Sequence, residues 1–287
     1  MRRKFTYPSN FIKYLGTGGA RFCMVSQARW TGGIWFSYGG LNGVIDPGPG
    51  SLYHICRADP PLDPHTLGAL LLSHKHLDHS TDINVLAEAM TAGGFDRHGT
   101  VILPQDSVHS QGSVFLDYCA DKVSTVVTAK DGDRIEIGCG VAVEPVPLVH
   151  HGVECFGYIF RHAGLPTWGI ISDTKPLGYL ADRYRECAYI SINVTFLDRK
   201  NLNPKLEHLS VEDAKGLLKD LHPRLATIAH MGVKLLDHGP EKYINGLSTP
   251  QTRVIAGQDG MTVNLESLMV FAPVHRKEER AEKYRLI

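Results

Sequence analysis

The chain has 287 residues, 30 basic and 30 acidic side chains, and a hydrophobic fraction of 43%. This composition excludes a disordered chain, and the balanced charge argues against a protein that grips long nucleic acids through a surplus of positive charge. No apolar run reaches the length of about 20 residues that a membrane helix needs, and the first residues lack the apolar core of a secretory signal, so we expect a cytoplasmic protein with reduced thiols.

The first half of the chain is rich in predicted strands. Three of them are short β-rich runs that end in Gly or Pro, namely FIKYLG, GGIWFSYGG and NGVIDPG. Two further apolar runs, ALLLS at 69–73 and VILP at 101–104, are predicted to be strands as well. Between these two runs, apolar residues recur at every third or fourth position from about 82 to 92, which predicts a helix.

The second half alternates strands with a second predicted helix. Strands are predicted at 135–149, in FGYIFRH, TWGIISD, AYISINVTF and LATIAH, and in a final pair within RVIAGQDGMTVNL. The turn of that final pair is predicted at Asp259-Gly260. Ser210 is the predicted N-cap of the helix VEDAKGLLKDL. This order predicts one mixed α/β domain over residues 1–287, with a charged tail from about 272 to 287.

The strongest chemical signal is the segment SHKHLDH at 73–79. It places His74, His76, Asp78 and His79 within six residues, directly after an apolar strand. Burying three histidines and an aspartate without a metal would leave many polar atoms unpaired. The segment therefore predicts a metal site, with His74 and His76 on one side of an extended turn and the other two side chains facing a second ion. The six cysteines form no CxxC pair, which excludes a zinc ribbon.

The segment HKHLDH resembles the HxHxDH signature of the metallo-β-lactamase fold superfamily. Other residues resemble that family's motifs in the same order along the chain: Asp46 in VIDPGPG, His151 in HHGVECFGY, Asp173 in IISDT and His230 in TIAHMG. The resemblance implies an α/β fold, an αβ/βα four-layer sandwich in which two mixed β-sheets are flanked by helices.

The same resemblance implies a dinuclear metal centre. One ion would be bound by His74, His76 and His151, the other by Asp78, His79 and His230, and Asp173 would bridge them. Nitrogen and carboxylate ligands suit zinc, with manganese and iron as alternatives. Two such ions would share a hydroxide that attacks the substrate.

Two neighbouring histidines compete for one ligand position. The spacing to Gly157 favours His151, and His150 is the alternative. Neighbouring strand residues point to opposite faces, so only one of the two should reach the metal. The remaining histidines fit no metal spacing and are predicted to be surface or packing residues: His54, His65, His98, His109, His162, His222, His238 and His275.

Three segments resemble the branch of this superfamily that contains ribonuclease Z and cyclic phosphodiesterases. LGTGGA at 15–20 is similar to its opening segment, and QDGM at 258–261 to its final hairpin. EHLSVEDAKGLLKDLHPRLATIAHMG resembles its paired histidine motifs, which implies that His208 lies near the scissile phosphate. The alternative is that His208 is only a residue that precedes the cap of a helix.

The chain also departs from ribonuclease Z. Ile192-Asn193-Val194-Thr195 stands where that enzyme has a His-Glu-Ala-Thr segment, and neither an arm that grips transfer RNA nor a basic surplus is recognisable. A transfer-RNA processing enzyme is therefore disfavoured. The cysteine cluster that holds an extra zinc in some cyclic phosphodiesterases is absent as well.

We therefore predict a dinuclear metal-dependent hydrolase, most simply a phosphodiesterase. Its substrate would be a small or cyclic nucleotide-like ester or a short oligonucleotide, attacked by a metal-bridging hydroxide. Asp78 would orient that hydroxide, and His208 would assist the leaving group. The alternatives are a lactonase or thioesterase of the same fold and a non-catalytic ligand sensor or scaffold. The sequence leaves open whether the protein forms a homodimer.

Overall fold

Two β-sheets form the centre of the structure, a computed structural model that describes residues 5–108, 110–200, 202–203 and 205–273. His109, His275 and all but the first two residues of the predicted tail at 272–287 lie outside the described residues. The assignment of residues 1–287 to one domain stays a prediction.

The first sheet has eight strands, six from the first half of the chain and two from near residue 270. Its spatial order is β15-β14-β1-β2-β3-β4-β5-β6, in which β3 to β6 are parallel and the other pairs antiparallel. The strands are β1 (Phe11–Tyr14), β2 (Ile34–Tyr38), β3 (Leu41–Ile45), β4 (Leu67–Leu71), β5 (Thr100–Leu103), β6 (Thr125–Thr128), β14 (Thr262–Asn264) and β15 (Val270–Phe271).

The second sheet has seven strands in the order β13-β12-β11-β10-β9-β8-β7. Strands β10 to β13 are parallel, and β7 to β10 form an antiparallel meander. The strands are β7 (Ile135–Gly138), β8 (Val141–His150), β9 (Val153–Arg161), β10 (Trp168–Ile171), β11 (Tyr189–Asn193), β12 (Leu225–Ala229) and β13 (Arg253–Ala256).

Helices cover the outer face of each sheet, which confirms the predicted four-layer αβ/βα sandwich. One buried cluster lies between the sheets and contains Phe36, Phe160 and Trp168. A second packs helices against the first sheet, and a third packs helices against the second sheet. The helices are α1 (Ala20–Ser26), α2 (Ser51–Cys56), α3 (Leu77–Ser80), α4 (Ile83–Met90), α5 (Asp117–Ala120), α6 (Leu180–Arg183), α7 (Val211–Leu221), α8 (Val233–Asp237) and α9 (Pro240–Ile244).

The two predicted helices are both confirmed. Helix α4 buries Ile83, Leu86, Ala87 and Met90, the apolar residues of its three-to-four spacing. Helix α7 begins after Ser210 in a reciprocal capping box with its third residue. In the described part of the chain, every helix is too short or too polar to traverse a bilayer.

The predicted pairing of the final two strands is wrong, and the strand predicted at 135–149 is divided into β7 and β8 by a turn at residues 139–140. The turn at Asp259-Gly260 exists, and Gly260 adopts a positive φ of 81° there. The flanking strands do not form a hairpin, because β13 pairs with β12 in the second sheet whereas β14 pairs with β1 in the first. The segment between them instead carries the chain from one sheet to the other, and we call residues 257–260 the crossover.

The topology brings several chain segments to one edge of the sandwich. Strands β1, β3 and β4 run in the same direction in the first sheet, and β8, β10, β11 and β12 do so in the second. The residues that follow the carboxyl ends of these strands include nearly all the predicted metal ligands. In α/β proteins, ligands bind outside the carboxyl ends of the strands, so this edge is where a functional site is expected.

Candidate metal centre

Asp46 fixes the loop that carries the histidine cluster. It follows β3, and its carboxylate accepts hydrogen bonds from the main-chain N–H of Ser73 (2.6 Å) and from the Ser73 hydroxyl (2.7 Å). Ser73 follows β4, the parallel neighbour of β3, so the two strand ends are tied together. The turn after Ser73 then delivers His74 and His76, and α3 delivers Asp78 and His79.

Three histidines form the first group of donor atoms. Nε2 of His74 and Nε2 of His150 each lie 3.1 Å from Nδ1 of His76. His74 and His150 are 0% and 2% exposed. Nδ1 of His150 lies 2.8 Å from the carbonyl oxygen of Glu207, which can only accept, so this nitrogen carries the proton and Nε2 presents a lone pair to the group.

The prediction favoured His151 for this group, whereas the structure places His150, the alternative, against His74 and His76. Strand β8 ends at His150, and His151 begins the turn to β9 with a φ of +46°. This backbone conformation directs His151 outward: the residue is exposed, and its ring centre lies 6.4 Å from that of His76, compared with 4.9 Å for His150. Spacing along the chain could not reveal this, because the strand end decides which neighbour faces inward.

A second group combines Asp78, His79 and His230. Nε2 of His230 lies 3.0 Å from Nε2 of His79 and 3.2 Å from Oδ2 of Asp78. His79 donates from Nδ1 to Oδ2 of Asp46 (2.9 Å), which leaves its Nε2 facing the group. His230 follows β12 directly, and all three side chains are predicted ligands that the fold does bring together.

Asp173 lies between the two groups. Its Oδ2 is 3.5 Å from Nε2 of His79 and 3.6 Å from Nε2 of His150. Asn193 donates a hydrogen bond from Nδ2 to Oδ1 of Asp173 (2.9 Å), which holds the carboxylate in this position. The placement is the one that a residue bridging two ions would need.

The donor set fits two divalent ions. Atoms bound tetrahedrally to one zinc ion at about 2.0–2.1 Å lie about 3.3–3.4 Å apart. The donor atoms of each group are separated by 3.0–3.2 Å along their closest contacts, so a small outward shift of the side chains would accommodate an ion. The charge distribution also calls for cations. Although burial lowers the pKa of His79, the carboxylates of Asp78, Asp173 and Asp46 raise it well above its usual range. The surrounding carboxylates thus favour a positive charge on the His79 ring, at the place where a metal ion would bind.

The pKa values of the other ligand candidates support the same conclusion. Burial lowers the pKa of His74 well below its usual value and that of His150 to about 4, so both rings stay neutral and able to coordinate. Although burial raises the pKa of Asp173, the surrounding histidines lower it well below its usual range. Neutral imidazoles and ionised carboxylates are the forms that bind metals.

His208 lies at the centre rather than only beside a helix cap. It precedes Ser210, the N-cap of α7, yet its ring centre is 4.7 Å from that of His150. Its Nδ1 lies 3.1 Å from the Thr195 hydroxyl and 3.4 Å from Oδ2 of Asp173. Burial lowers the pKa of His208 to about 3, which makes it a neutral hydrogen-bonding group at pH 7.

Sequence reasoning missed the residues that orient these side chains. Asn193 and Thr195 were noted only as a departure from ribonuclease Z, although both contact the cluster. The carbonyl of Glu207 and the main-chain N–H of Ala20 also contact it. A sequence does not show main-chain contacts, so only the position of Asn193 and Thr195 near the end of a predicted strand could have identified any of these groups.

A model of the Beta-lactamase superfamily domain matches residues 42–231, the segment that contains Asp46, both donor groups, Asp173 and His208. The chain belongs to the beta-lactamase superfamily. The chain is also 28% identical over 262 residues to an uncharacterised protein of Methanocaldococcus jannaschii, with 88% of this chain and 94% of that protein covered.

Solved structures of the metallo-β-lactamase fold resemble this superfamily member over most of its length. YhfI from Bacillus subtilis matches with a TM-score of 0.70 and 15% identity, covering 88% of this chain and 98% of that one. A diphosphatase from the PhnP family matches with a TM-score of 0.65 and 16% identity, covering 88% and 96%. The short form of human tRNase Z matches with a TM-score of 0.66 and 14% identity, covering 89% and 99%. At such identities the likeness concerns the fold.

Proposed function

We propose that this protein is a dinuclear metal-dependent phosphodiesterase that acts on a small or cyclic nucleotide-like ester or a short oligonucleotide. The observation that carries the proposal is the position of His208. Its ring lies beside Asp173, which lies between the two donor groups, and it is also within ligand distance of His150 and His230. A hydrogen-bond donor at that place suits a substrate with charged oxygens around the reacting atom.

The proposed ligands follow the two groups described above. His74, His76 and His150 would hold one ion, Asp78, His79 and His230 the other, and Asp173 both. Zinc suits this set, and manganese or iron would also accept it. Bound ions of this kind lower the pKa of water and stabilise negative charge at phosphorus.

The side chains of the protein supply orientation and hydrogen bonds. Asp78 receives a hydrogen bond on Oδ2 from the main-chain N–H of Ala20 (2.9 Å), so its carboxylate is fixed and can orient the attacking water. His208 donates a hydrogen bond to the phosphoryl or leaving oxygen. Because burial lowers its pKa to about 3, the negative charge of a bound substrate has to raise that pKa before His208 can transfer a proton.

Two further observations support the proposal, one the chemistry at phosphorus and the other a substrate that is not a long nucleic acid. The fold is similar to that of a diphosphatase from the PhnP family and of human tRNase Z. The formal net charge of zero offers no surplus of cations for a long nucleic acid. The cytoplasmic location stays a prediction, and the question of a homodimer stays open.

Turnover of bis(p-nitrophenyl) phosphate, compared with a panel of lactones and thioesters, tests the proposal. Protein loaded with zinc or manganese should hydrolyse the phosphodiester, and the His74→Ala variant should not. Faster turnover of a lactone or thioester would support the carbonyl alternative instead. Two bound ions with no turnover of any substrate would support the ligand sensor.

A further inference from the structure

The glycine-rich segment at 15–20, which we call the opening strip, runs beside the residues proposed for the second ion. The main-chain N–H of Gly19 donates to the carbonyl of Met231 (3.2 Å), and the N–H of Met231 donates to the carbonyl of Thr17 (2.9 Å). Met231 directly follows His230. Two main-chain hydrogen bonds therefore hold the opening strip against the backbone next to His230.

The end of the opening strip contacts two proposed ligands. The N–H of Ala20 donates to Oδ2 of Asp78 (2.9 Å) and lies 3.3 Å from Nε2 of His230. A Cβ on Gly19 would lie 2.1 Å from Cγ of His230, so the histidine ring packs directly on the glycine backbone. Ala20 has a φ of +64°, a conformation that an L-residue keeps only where the surrounding structure holds it.

Asp259 in the crossover holds the middle of this strip, at Thr17. Its Oδ1 accepts hydrogen bonds from the N–H (2.8 Å) and the hydroxyl (2.7 Å) of Thr17, and its Oδ2 accepts one from the N–H of Trp30 (3.0 Å). Trp30 in turn accepts from the N–H of Gly18 (2.9 Å) through its carbonyl. One carboxylate thus ties three segments together: the crossover, the strip and the segment that follows α1.

Arg29 adds a second attachment between the crossover and the strip. One of its guanidinium nitrogens, Nη1, donates to the carbonyl of Gly257 (3.0 Å) and to the hydroxyl of Thr17 (3.3 Å). The geometry of Gly19 and Ala20 therefore depends on groups outside the sequence segment that contains the proposed ligands.

We propose that Asp259 is a positioning residue for the second ion, an inference that rests on the proposed metal centre. By holding Thr17, it fixes the strip so that the N–H of Ala20 aligns Asp78 and the backbone of Gly19 supports His230. The first ion, proposed at His74, His76 and His150, has no such dependence. Loss of Asp259 should therefore weaken one ion and leave the other in place.

Calorimetric titration of the metal-free protein with zinc measures the affinity of each of the two proposed ions. The binding step that disappears in the His230→Ala variant is the one that belongs to the second ion. Because removal of outer-shell partners lowers metal affinity by about 10–100-fold, we expect Asp259→Ala to weaken the second step by about 10-fold or more. Asp259→Asn retains an acceptor for Thr17 and should weaken it less. The first step should be unchanged in both.

Asn264→Ala is the matched control, because Oδ1 of Asn264 also accepts from two main-chain groups, the N–H of Glu266 (2.8 Å) and of Ser267 (2.9 Å). It should bind both ions as the wild type does. If Asp259→Ala does not fold, Asp259→Asn and Gly19→Ala test the same contacts, and Gly19→Ala should weaken the second ion by displacing the ring of His230.

Three results would overturn the inference. Folded Asp259 variants with unchanged second-ion affinity would show that the strip does not need this carboxylate. Equal weakening of both steps would show a general loss of structure rather than positioning. A wild-type protein that binds fewer than two ions would contradict the proposed metal centre itself.

Discussion

Replacing Asp46 by asparagine should weaken one ion selectively, through the protonation state of a histidine. The carboxylate accepts from the main-chain N–H of Ser73 through Oδ1, and from the Ser73 hydroxyl and Nδ1 of His79 through Oδ2. In Asp46→Asn, one of these oxygens becomes an NH₂ group that cannot accept. If the amide nitrogen faces His79, that ring must move its proton to Nε2, which then cannot bind an ion.

The size of the effect follows from these contacts. Asp46→Ala removes the acceptor of these three hydrogen bonds and of a longer one from the Ser172 hydroxyl (3.3 Å). At about 1.5–3 kcal/mol each, their loss should lower the unfolding free energy by about 6 kcal/mol or more. Asp46→Asn loses about one such bond and should lower it by about 2 kcal/mol. Because Asp46 orients His79 rather than binding the ion, we expect its replacement to lower second-ion affinity by about 10–100-fold.

Urea unfolding of the metal-free protein measures the change in unfolding free energy, and zinc titration measures the affinity for the second ion. Asp82→Asn is a useful control, since Asp82 also accepts from a main-chain N–H, that of Leu52 (3.1 Å), without contacting His79. An Asp46→Asn protein that binds the second ion as tightly as the wild type would refute the reasoning about the His79 tautomer.

Two further predictions concern histidines of the centre. His150→Ala should lose the first ion and His151→Ala should retain it, because only His150 lies against His74 and His76; elemental analysis showing the opposite pattern would restore the original assignment. His208→Ala should keep both ions yet lower phosphodiester turnover by roughly 10²–10⁴-fold, most for poor leaving groups. Wild-type activity of His208→Ala on every phosphodiester would remove this residue from the mechanism.

Much of the fold could be predicted because local signals and packing agree. The run before His74 is apolar throughout, as befits a strand covered on both faces, and β4 lies there as expected. The wrong hairpin at β13 and β14 has a physical cause. A turn signal such as Asp259-Gly260 reports a local reversal of the chain, whereas the partner of each strand is decided by contacts far away in sequence.

The choice between adjacent histidines shows a similar limit. Strand geometry predicts that only one of two neighbours faces inward, and this is what the structure shows. Along β8, Val146, Leu148 and His150 are buried while Pro147 is half-buried, so the alternation continues to the last strand residue. The sequence could not show which of the two histidines faces inward, since residues 146–149 before them are all apolar and no polar position there sets the phase.

Thr195 links a proposed metal ligand to the proposed catalytic histidine, and its hydroxyl has only one proton to give. Its Oγ1 lies 3.1 Å from Nδ1 of His208, 3.2 Å from Nδ1 of His230 and 3.4 Å from the His230 carbonyl. An ion on Nε2 of His230 leaves the proton of that ring on Nδ1, so Thr195 donates to His208, its shortest contact.

His208 then carries its own proton on Nε2, the nitrogen left for the substrate. Thr195→Val keeps the shape of the side chain but removes the hydroxyl that donates to Nδ1 of His208. The ring can then adopt the other tautomer, in which Nδ1 carries the proton and donates it to Oδ2 of Asp173 (3.4 Å). We expect turnover of phosphodiesters to fall about 10-fold, or about 1.4 kcal/mol, with both ions retained, and Thr195→Ser to recover it. Equal turnover by the valine and serine variants would show that the tautomer of His208 is set elsewhere.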